Sequence, residues 1–322
     1  MQEARSESAC ATELLGRVAD GFVTIESMSS TRTATRKKSD LQVIRADSFS
    51  GLSWLRHGFS TRRGGVSKCY GGKALNLGIT EEDTREAVQR NRELFFQAIG
   101  AVNKTKPFSS VAMKQIHSSI VHEIAELPEK PLAGDGLITR KPGIVLTVRT
   151  ADCIPVLIVD PVERAVGSFH AGWRGTLARI VEKGVGEMRR SYGSQPENLR
   201  AAIGPGIHRC CYEVSDDFRE KFAAQFAYAD ELFEDVFSSD PVHDKYPLLF
   251  LNKRAPGHGD PHCTLHLDLV EANRRQLLDA GLAKDNIWNS DLCTSCRNDL
   301  LFSHRKEHGK TGRMVAAIAI SR

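Results

Sequence analysis

From Leu41 onward, short apolar runs alternate with amphipathic stretches. Runs at Val43–Ala46, Leu55–Ser60, Ser110–Gln115, Ile120–Ile124, Ile144–Val148, Ile154–Val159, Ala165–Phe169, Leu199–Ile203 and Met314–Ile320 are rich in β-branched residues. Gly, Pro or Asp bounds them, which predicts strands. Periodicity predicts helices over Thr84–Ile99, Leu177–Tyr192, Asp216–Ala227 and Leu269–Ala280. In the second, Leu177, Ile180, Val181, Val185 and Met188 keep one stripe, Arg189 and Arg190 suit the last turn, and Gly193 can stop it. With neither repeat nor linker in view, the pattern predicts one α/β domain over 41–322. Residues 1–40 are Ser/Thr/Arg-rich with few apolar anchors and read as a disordered N-terminal tail. Ser238–His262 carries Pro241, Pro247, Pro256 and Pro261 and reads as a loop-like insertion between two helices.

Composition narrows the class without adding a function. The 322 residues are 41% hydrophobic and 26% charged, as expected of a soluble globular protein. A net charge of +4 is too small to argue for nucleic acid. No apolar run approaches the roughly 18 residues of a membrane span, and the N-terminus has no secretory pattern. Glu3, Glu7, Glu13, Asp20 and Glu26 argue against a transit peptide. The eight cysteines are irregularly spaced and read as reduced thiols in a cytosolic protein. Monomer and homodimer both remain open.

Three residues with metal-binding chemistry fall at strand boundaries: His117, Cys153 and His170. Separations of 36 and 17 residues exclude a local finger, so only a folded sheet can assemble them. A thiolate with two imidazoles suits zinc or copper, and three protein ligands leave a position where water would be acidified. Against this stands the ordinary fate of such residues, a packed histidine and an inert small thiol. The CTSC turn (Cys293–Cys296) reads as loop packing, a redox pair or half a zinc site; no second CxxC or spaced histidine pair accompanies it. HExxH, P-loop and dinucleotide fingerprints are absent.

A wider set of motifs carries a resemblance. RHGFSTRRGGVSKCYGGKALNLG (56–78), KQIHSSIV (114–121), GDGLIT (134–139), TADCIPVLIVDP (150–161), HAGWRGT (170–176), AAIGPGIHRCCYEV (201–214), LDLVEANRRQL (267–277) and FSHRKEHGKTGRM (302–314) occur in that order. Together they closely resemble the YfiH/YlmD/FAMIN family, also called laccase-domain or multicopper polyphenol oxidoreductase proteins, over about Arg56 to Ile320. The resemblance implies an α/β layered sandwich, with mixed β-sheets between helical layers, similar to the cysteine-hydrolase fold of a bacterial toxin. It implies a metal site at His117, Cys153 and His170. It implies phosphorolysis of adenosine, inosine and S-methyl-5′-thioadenosine, hydrolytic deamination of adenosine and, in some members, copper-dependent phenol oxidation. The cofactors implied are zinc, or copper, with inorganic phosphate as co-substrate.

Roles for individual residues follow from that chemistry. Cys153 and His170 are the catalytic candidates. Asp152, beside Cys153, is the nearest carboxylate in sequence and a candidate proton carrier, or a partner holding a ligand imidazole; Asp135 in GDG has similar standing. Arg62, with Arg63 in a Gly-flanked turn, could cradle phosphate, or could be a surface arginine in a hairpin. Asn76 could hold ribose hydroxyls, or form the turn before Gly78. Lys114 and Arg174 are weaker anion candidates, and Trp173 reads as a packing plug. Three alternatives stay open. One is a metal-free cysteine amide hydrolase (Cys153 nucleophile, His170 base) acting on peptidoglycan precursors. The second is a copper-dependent polyphenol oxidase, although HxH clusters are missing. The third is a metal-storing partner protein.

Overall fold

The computed structural model describes residues 25–26, 40–104, 106–237 and 263–321. The tail expected over 1–40, apart from residues 25, 26 and 40, and the insertion expected over Ser238–His262 lie outside the described residues. Eight strands build the core: β1 (Leu55–Ser60), β2 (Ser109–Ala112), β3 (Gly136–Thr139), β4 (Ile144–Thr150), β5 (Ile154–Asp160), β6 (Ala165–Ala171), β7 (Arg200–Ile203) and β8 (Met314–Ile320). They lie in two six-stranded mixed sheets. The first runs Ile25–Glu26, Val43–Ile44, β1, β8, β4, β2, with only the β4–β2 pair parallel. The second runs Ile287–Asn289, β7, β5, β6, β3, Val121–Glu123, and is parallel only at its two outer pairs.

Side-chain alternation explains the layering. Along β8, Ala316, Ile318 and Ile320 join Leu146, Val148, Leu157 and Val159 in the core between the sheets. The intervening Val315, Ala317 and Ala319 join Val145 and face helix α1 (Arg85–Ala98), which brings Phe95 and Phe96. Each fully buried Leu, Ile or Phe stabilises the fold by roughly 1.5–3 kcal/mol. Thr84 caps α1 by accepting from Ala87 N at 3.2 Å. Helices α2 (Trp173–Leu177), α3 (Ile180–Tyr192) and α5 (Leu269–Asp279) pack on the second sheet's side, α3 against β6 and β3 and α5 against β7. A Cβ on Gly184 would come within 2.3 Å of the Phe169 ring, so only glycine lets α3 lie this close to β6.

The helix expected over Leu177–Tyr192 runs over Ile180–Tyr192; Leu177 instead ends the short α2, and Arg179 between them is left-handed (φ 59°), which breaks the helical run. The described residues divide into two compact units, one up to Ile207 and again from Leu269, the other over His208–Asp268. The second unit holds a three-stranded sheet, ordered Glu213–Val214, Cys263–Leu267, Phe233–Phe237, and helix α4 (Asp217–Ala223). Phe222 of α4 contacts Phe226 and Phe233 there. Among the described residues no helix is long and apolar enough to cross a membrane. Cys69, Cys153 and Cys263 are free thiols, as expected of reduced cysteines, whereas Cys296 is disulfide-bonded.

Candidate metal centre

β4 and β5 belong to different sheets, and the turn Ala151-Asp152-Cys153 carries the chain across. Asp152 adopts φ 86°, a conformation costly for any residue but glycine. Three bonds hold it there. Thr294 Oγ1 donates to Oδ1 at 2.6 Å, Arg305 N to Oδ2 at 2.6 Å, and Ile207 N to the Asp152 carbonyl at 2.7 Å. They fix the direction in which Cys153 leaves the turn.

His117 lies in the loop after β2, also left-handed at φ 57°. Ile116 N, Ser118 N and Ser118 Oγ donate to Asp135 Oδ2 at 3.2, 2.6 and 2.8 Å, so one buried carboxylate shapes this loop. The same carboxylate reaches His170, whose Nδ1 lies 2.8 Å from Asp135 Oδ1. Asp135 sits just before β3, next to β6 in the sheet, and His170 N donates to its carbonyl at 2.8 Å. An ionised carboxylate only accepts, so Nδ1 carries the proton and Nε2 is the nitrogen left for a ligand. His170 is not past the end of its strand, as the sequence suggests. The β5–β6 ladder continues through Pro155↔His170 to Ile154↔Ala171, and Gly172 begins the turn into α2.

The three side chains meet. One ligand atom from each of His117, Cys153 and His170 lies within 4.8 Å of the others. The two imidazoles stand edge to face at 5.1 Å between centroids. His170 is buried, Cys153 half-buried and His117 exposed, so the cluster opens on the His117 side. A Cβ on Gly172 would press within 3.0 Å of both Cys153 Sγ and His117 Cδ2, so the glycine keeps space at the cluster. Two imidazole nitrogens and a sulfur this close, beside a residue with no side chain, fit a zinc-type ion bound by three protein ligands.

The charges agree with that fit. Burial raises the Cys153 thiol, but hydrogen bonds from His117 and His170 outweigh it and bring it down to about 6. Burial lowers His170, but Asp135 and Cys153 outweigh it and bring it up to about 9. Asp135 is held near 2, because His170 and Ser118 overcome its own burial. The thiolate form that a metal requires is therefore favoured in advance.

Arg62 and Asn76 are placed among internal partners. Arg62 donates to Asn298 O at 2.7 Å and Tyr70 O at 3.2 Å, pairs with Glu307 at 3.1 Å, and lies 4.7 Å over the Phe302 ring. With Arg63 and Lys73 it borders a hollow of about 500 Å³. Asn76 is fully buried. Its amide donates to Gly78 O and Asp83 Oδ2, and its oxygen accepts from Gly78 N and Arg313 N, so every hydrogen-bonding group is spent. Arg174 stacks 4.3 Å over the Trp173 ring. Four contributors escaped the sequence reading: Ser118, Gly172, Thr294 and Arg305. Only the Gly in HAGWRG, between a ligand and a helix start, carried a local signal. The others act through distant partners.

The family model described as "Multi-copper polyphenol oxidoreductase laccase" matches residues 56–321. The purine nucleoside phosphorylase YlmD of Bacillus subtilis is 33% identical over 82% of this chain and 87% of its own length. A purine nucleoside phosphorylase of Deinococcus radiodurans is 35% identical over 83% and 89%. Among solved structures, YfiH of Bacillus licheniformis aligns with TM-score 0.71 at 31% identity, covering 88% of this chain and 97% of its own. YlmD of Geobacillus stearothermophilus aligns with TM-score 0.68 at 30% identity, covering 90% and 98%.

Proposed function

Because the chain belongs to the multi-copper polyphenol oxidoreductase laccase family, we propose that it is a metal-dependent purine nucleoside phosphorylase that also deaminates adenosine. Its substrates are adenosine, inosine and S-methyl-5′-thioadenosine, and its co-substrate is inorganic phosphate. The phosphorylase names of its relatives support the reading. The observation that carries it is the meeting of His117, Cys153 and His170 within 4.8 Å.

Cys153 Sγ, His170 Nε2 and a His117 ring nitrogen would hold zinc, or copper. When bound, the ion supplies Lewis acidity at the face the three ligands leave open. Asp135 accepts from His170 Nδ1 and so keeps the ring oriented, with Nε2 as the nitrogen left for the ion. Asp152 presents Cys153. As proton carrier to the departing ammonia it must trade one of its bonds from Thr294 or Arg305. In phosphorolysis a phosphate oxygen bonds to C1′ as the glycosidic bond breaks, its electron pair leaving with the purine. Arg62 and Asn76 serve substrate only by releasing partners they now hold.

A second reading rests on one observation. The acidified Cys153 thiol, His170 and Asp135 also form the nucleophile, base and orienting group of a cysteine hydrolase. Chelation separates the two readings, because metal removal abolishes phosphorolysis and spares amide hydrolysis. The test is metal analysis with product identification from adenosine and phosphate, on wild type and Cys153→Ala. Wild type should carry metal and release adenine with ribose-1-phosphate, and inosine by deamination; the variant should lose the metal and both products. Full activity in Cys153→Ala would remove the site from the reaction.

A further inference from the structure

A second charged constellation lies on the α1 face of the first sheet. Arg149 stands opposite Val315 in the β4–β8 ladder, and Val315 faces α1. Arg313, two residues from Val315, is therefore a diagonal neighbour of Arg149 on that face. Its stem crosses Gly78, where a Cβ would come within 2.6 Å of Arg313 Cβ and Cγ. Arg92 sits one turn before Phe95 and Phe96 on α1 and donates Nε to Leu77 O at 3.0 Å. Leu77 N in turn donates to Arg313 O at 2.9 Å. Three half-buried arginines thus gather, one from a helix, one from a strand and one from the residue just before β8.

Their partners are all neutral. Arg149 gives Nε to Gln115 Oε1 at 3.4 Å and Nη2 to Met113 O at 2.8 Å. Arg313 gives Nη1 to Thr311 O at 2.8 Å and Gly312 O at 3.0 Å. Among the described residues no carboxylate pairs with any of the three. Glu82, within reach of the Arg313 charge, takes its hydrogen bond from Tyr70. Among the described residues, both Nη groups of Arg92, Nη1 of Arg149 and Nε and Nη2 of Arg313 hold donors with no acceptor. The contrast with Arg62 and Arg63, paired with Glu307 and Asp299, is direct. Burial lowers Arg92 and Arg149 from their ordinary values, and each is lowered further by the next guanidinium, Arg149 and Arg313 respectively. Holding like charges together in a partly desolvated place costs free energy unless an anion compensates.

The constellation is also tied to the metal centre. Gln115 Oε1 accepts Arg149 N at 2.9 Å while its Nε2 donates to Arg149 O at 2.8 Å. Gln115 is two residues before His117, and Arg149 four before Cys153. We propose that Arg92, Arg149 and Arg313 form an oxyanion site that binds inorganic phosphate as the co-substrate of the reaction at His117, Cys153 and His170. Phosphate binding stands on the guanidinium geometry; its use as co-substrate rests on the phosphorylase reading above.

The test compares metal-loaded wild type with Arg149→Met, which keeps the stem, and Arg149→Lys, which keeps the charge. Without phosphate, Arg149→Met should melt no lower than wild type, since a repelling charge is gone. Added phosphate should raise the melting temperature of wild type, raise that of Arg149→Lys less, and leave Arg149→Met unmoved. The KM for phosphate should rise at least about tenfold in Arg149→Met, as expected for a lost charged hydrogen bond, with the KM for adenosine within a factor of two. Equal phosphate stabilisation in Arg149→Met and wild type, or an unchanged phosphate KM, overturns the site. Stabilisation lost in Arg149→Met while wild type cleaves no nucleoside would keep the anion site and sink the phosphorylase reading instead.

Discussion

His57 and His170 are both buried, at 7% and 3% exposure, and both sit on strands. Their surroundings differ in one respect. Around His57 the partners are a backbone amide, Ala46 N at 3.2 Å, an edge-on Phe49 ring and the Arg45 charge. Burial first, and then Arg45, push His57 down to about 3, so it stays a neutral packing residue. Around His170 the partners are a carboxylate and a thiol, and they carry it up to about 9 in spite of the same burial. Burial alone therefore does not say what a histidine does; the charge of its partner does.

The largest expected effect breaks the comparison. Asp135→Asn removes the carboxylate that orients His170 and leaves His117's loop short of an acceptor. Metal affinity should fall about 10- to 100-fold, read by competition with a chromophoric chelator, with the far-UV circular dichroism unchanged. An unchanged affinity would mean that the three ligands hold their geometry without Asp135.

The next effect sharpens the comparison from the His57 side. Its folded pKa, about 3, lies below the unfolded value of 6.5. Between these values the unfolded chain binds more protons, so stability contributed by neutral His57 is complete above 6.5 and declines as pH falls towards 3. Each pH unit costs about 1.4 kcal/mol, hence about 2 kcal/mol by pH 5. His57→Gln, which keeps an acceptor for Ala46 N, should flatten this part of the urea-unfolding profile. The same slope in variant and wild type would assign it to other groups.

The smallest effect is Ser118→Ala. One of three bonds to Asp135 Oδ2 is lost, which should weaken metal binding by less than about tenfold, in line with a single hydrogen bond to a charged group. A loss as large as in Asp135→Asn would make Ser118, rather than the carboxylate, the organiser of the loop.

Much of the core was legible because its signal is local. Leu55–Ser60 and Met314–Ile320 are strands with the predicted bounds, since alternating burial follows directly from the period of the strand. The helix predicted across Leu177–Tyr192 starts three residues later, at Ile180, because the left-handed Arg179 interrupts the stripe. Gly136–Thr139 escaped because four residues between two glycine-bounded turns carry little periodicity. At the metal centre the ligand types were legible. Arg62 and Asn76 had suitable chemistry, but sequence cannot show that Glu307, Asn298, Asp83 and Arg313 already occupy their groups.

By itself the sequence determined the alternating layers, the two soft ligand types and the family, because period, residue chemistry and motif order are properties of the chain. Tertiary structure alone decided which histidine meets a carboxylate and a thiol, and where arginines gather. Asp135 reaches His170 across 35 positions, Thr294 reaches Asp152 across 142, and Arg313 meets Arg149 only because β8 pairs with β4. A proton affinity is set by whatever charge lies within a few ångströms, and strand pairing sets that neighbourhood.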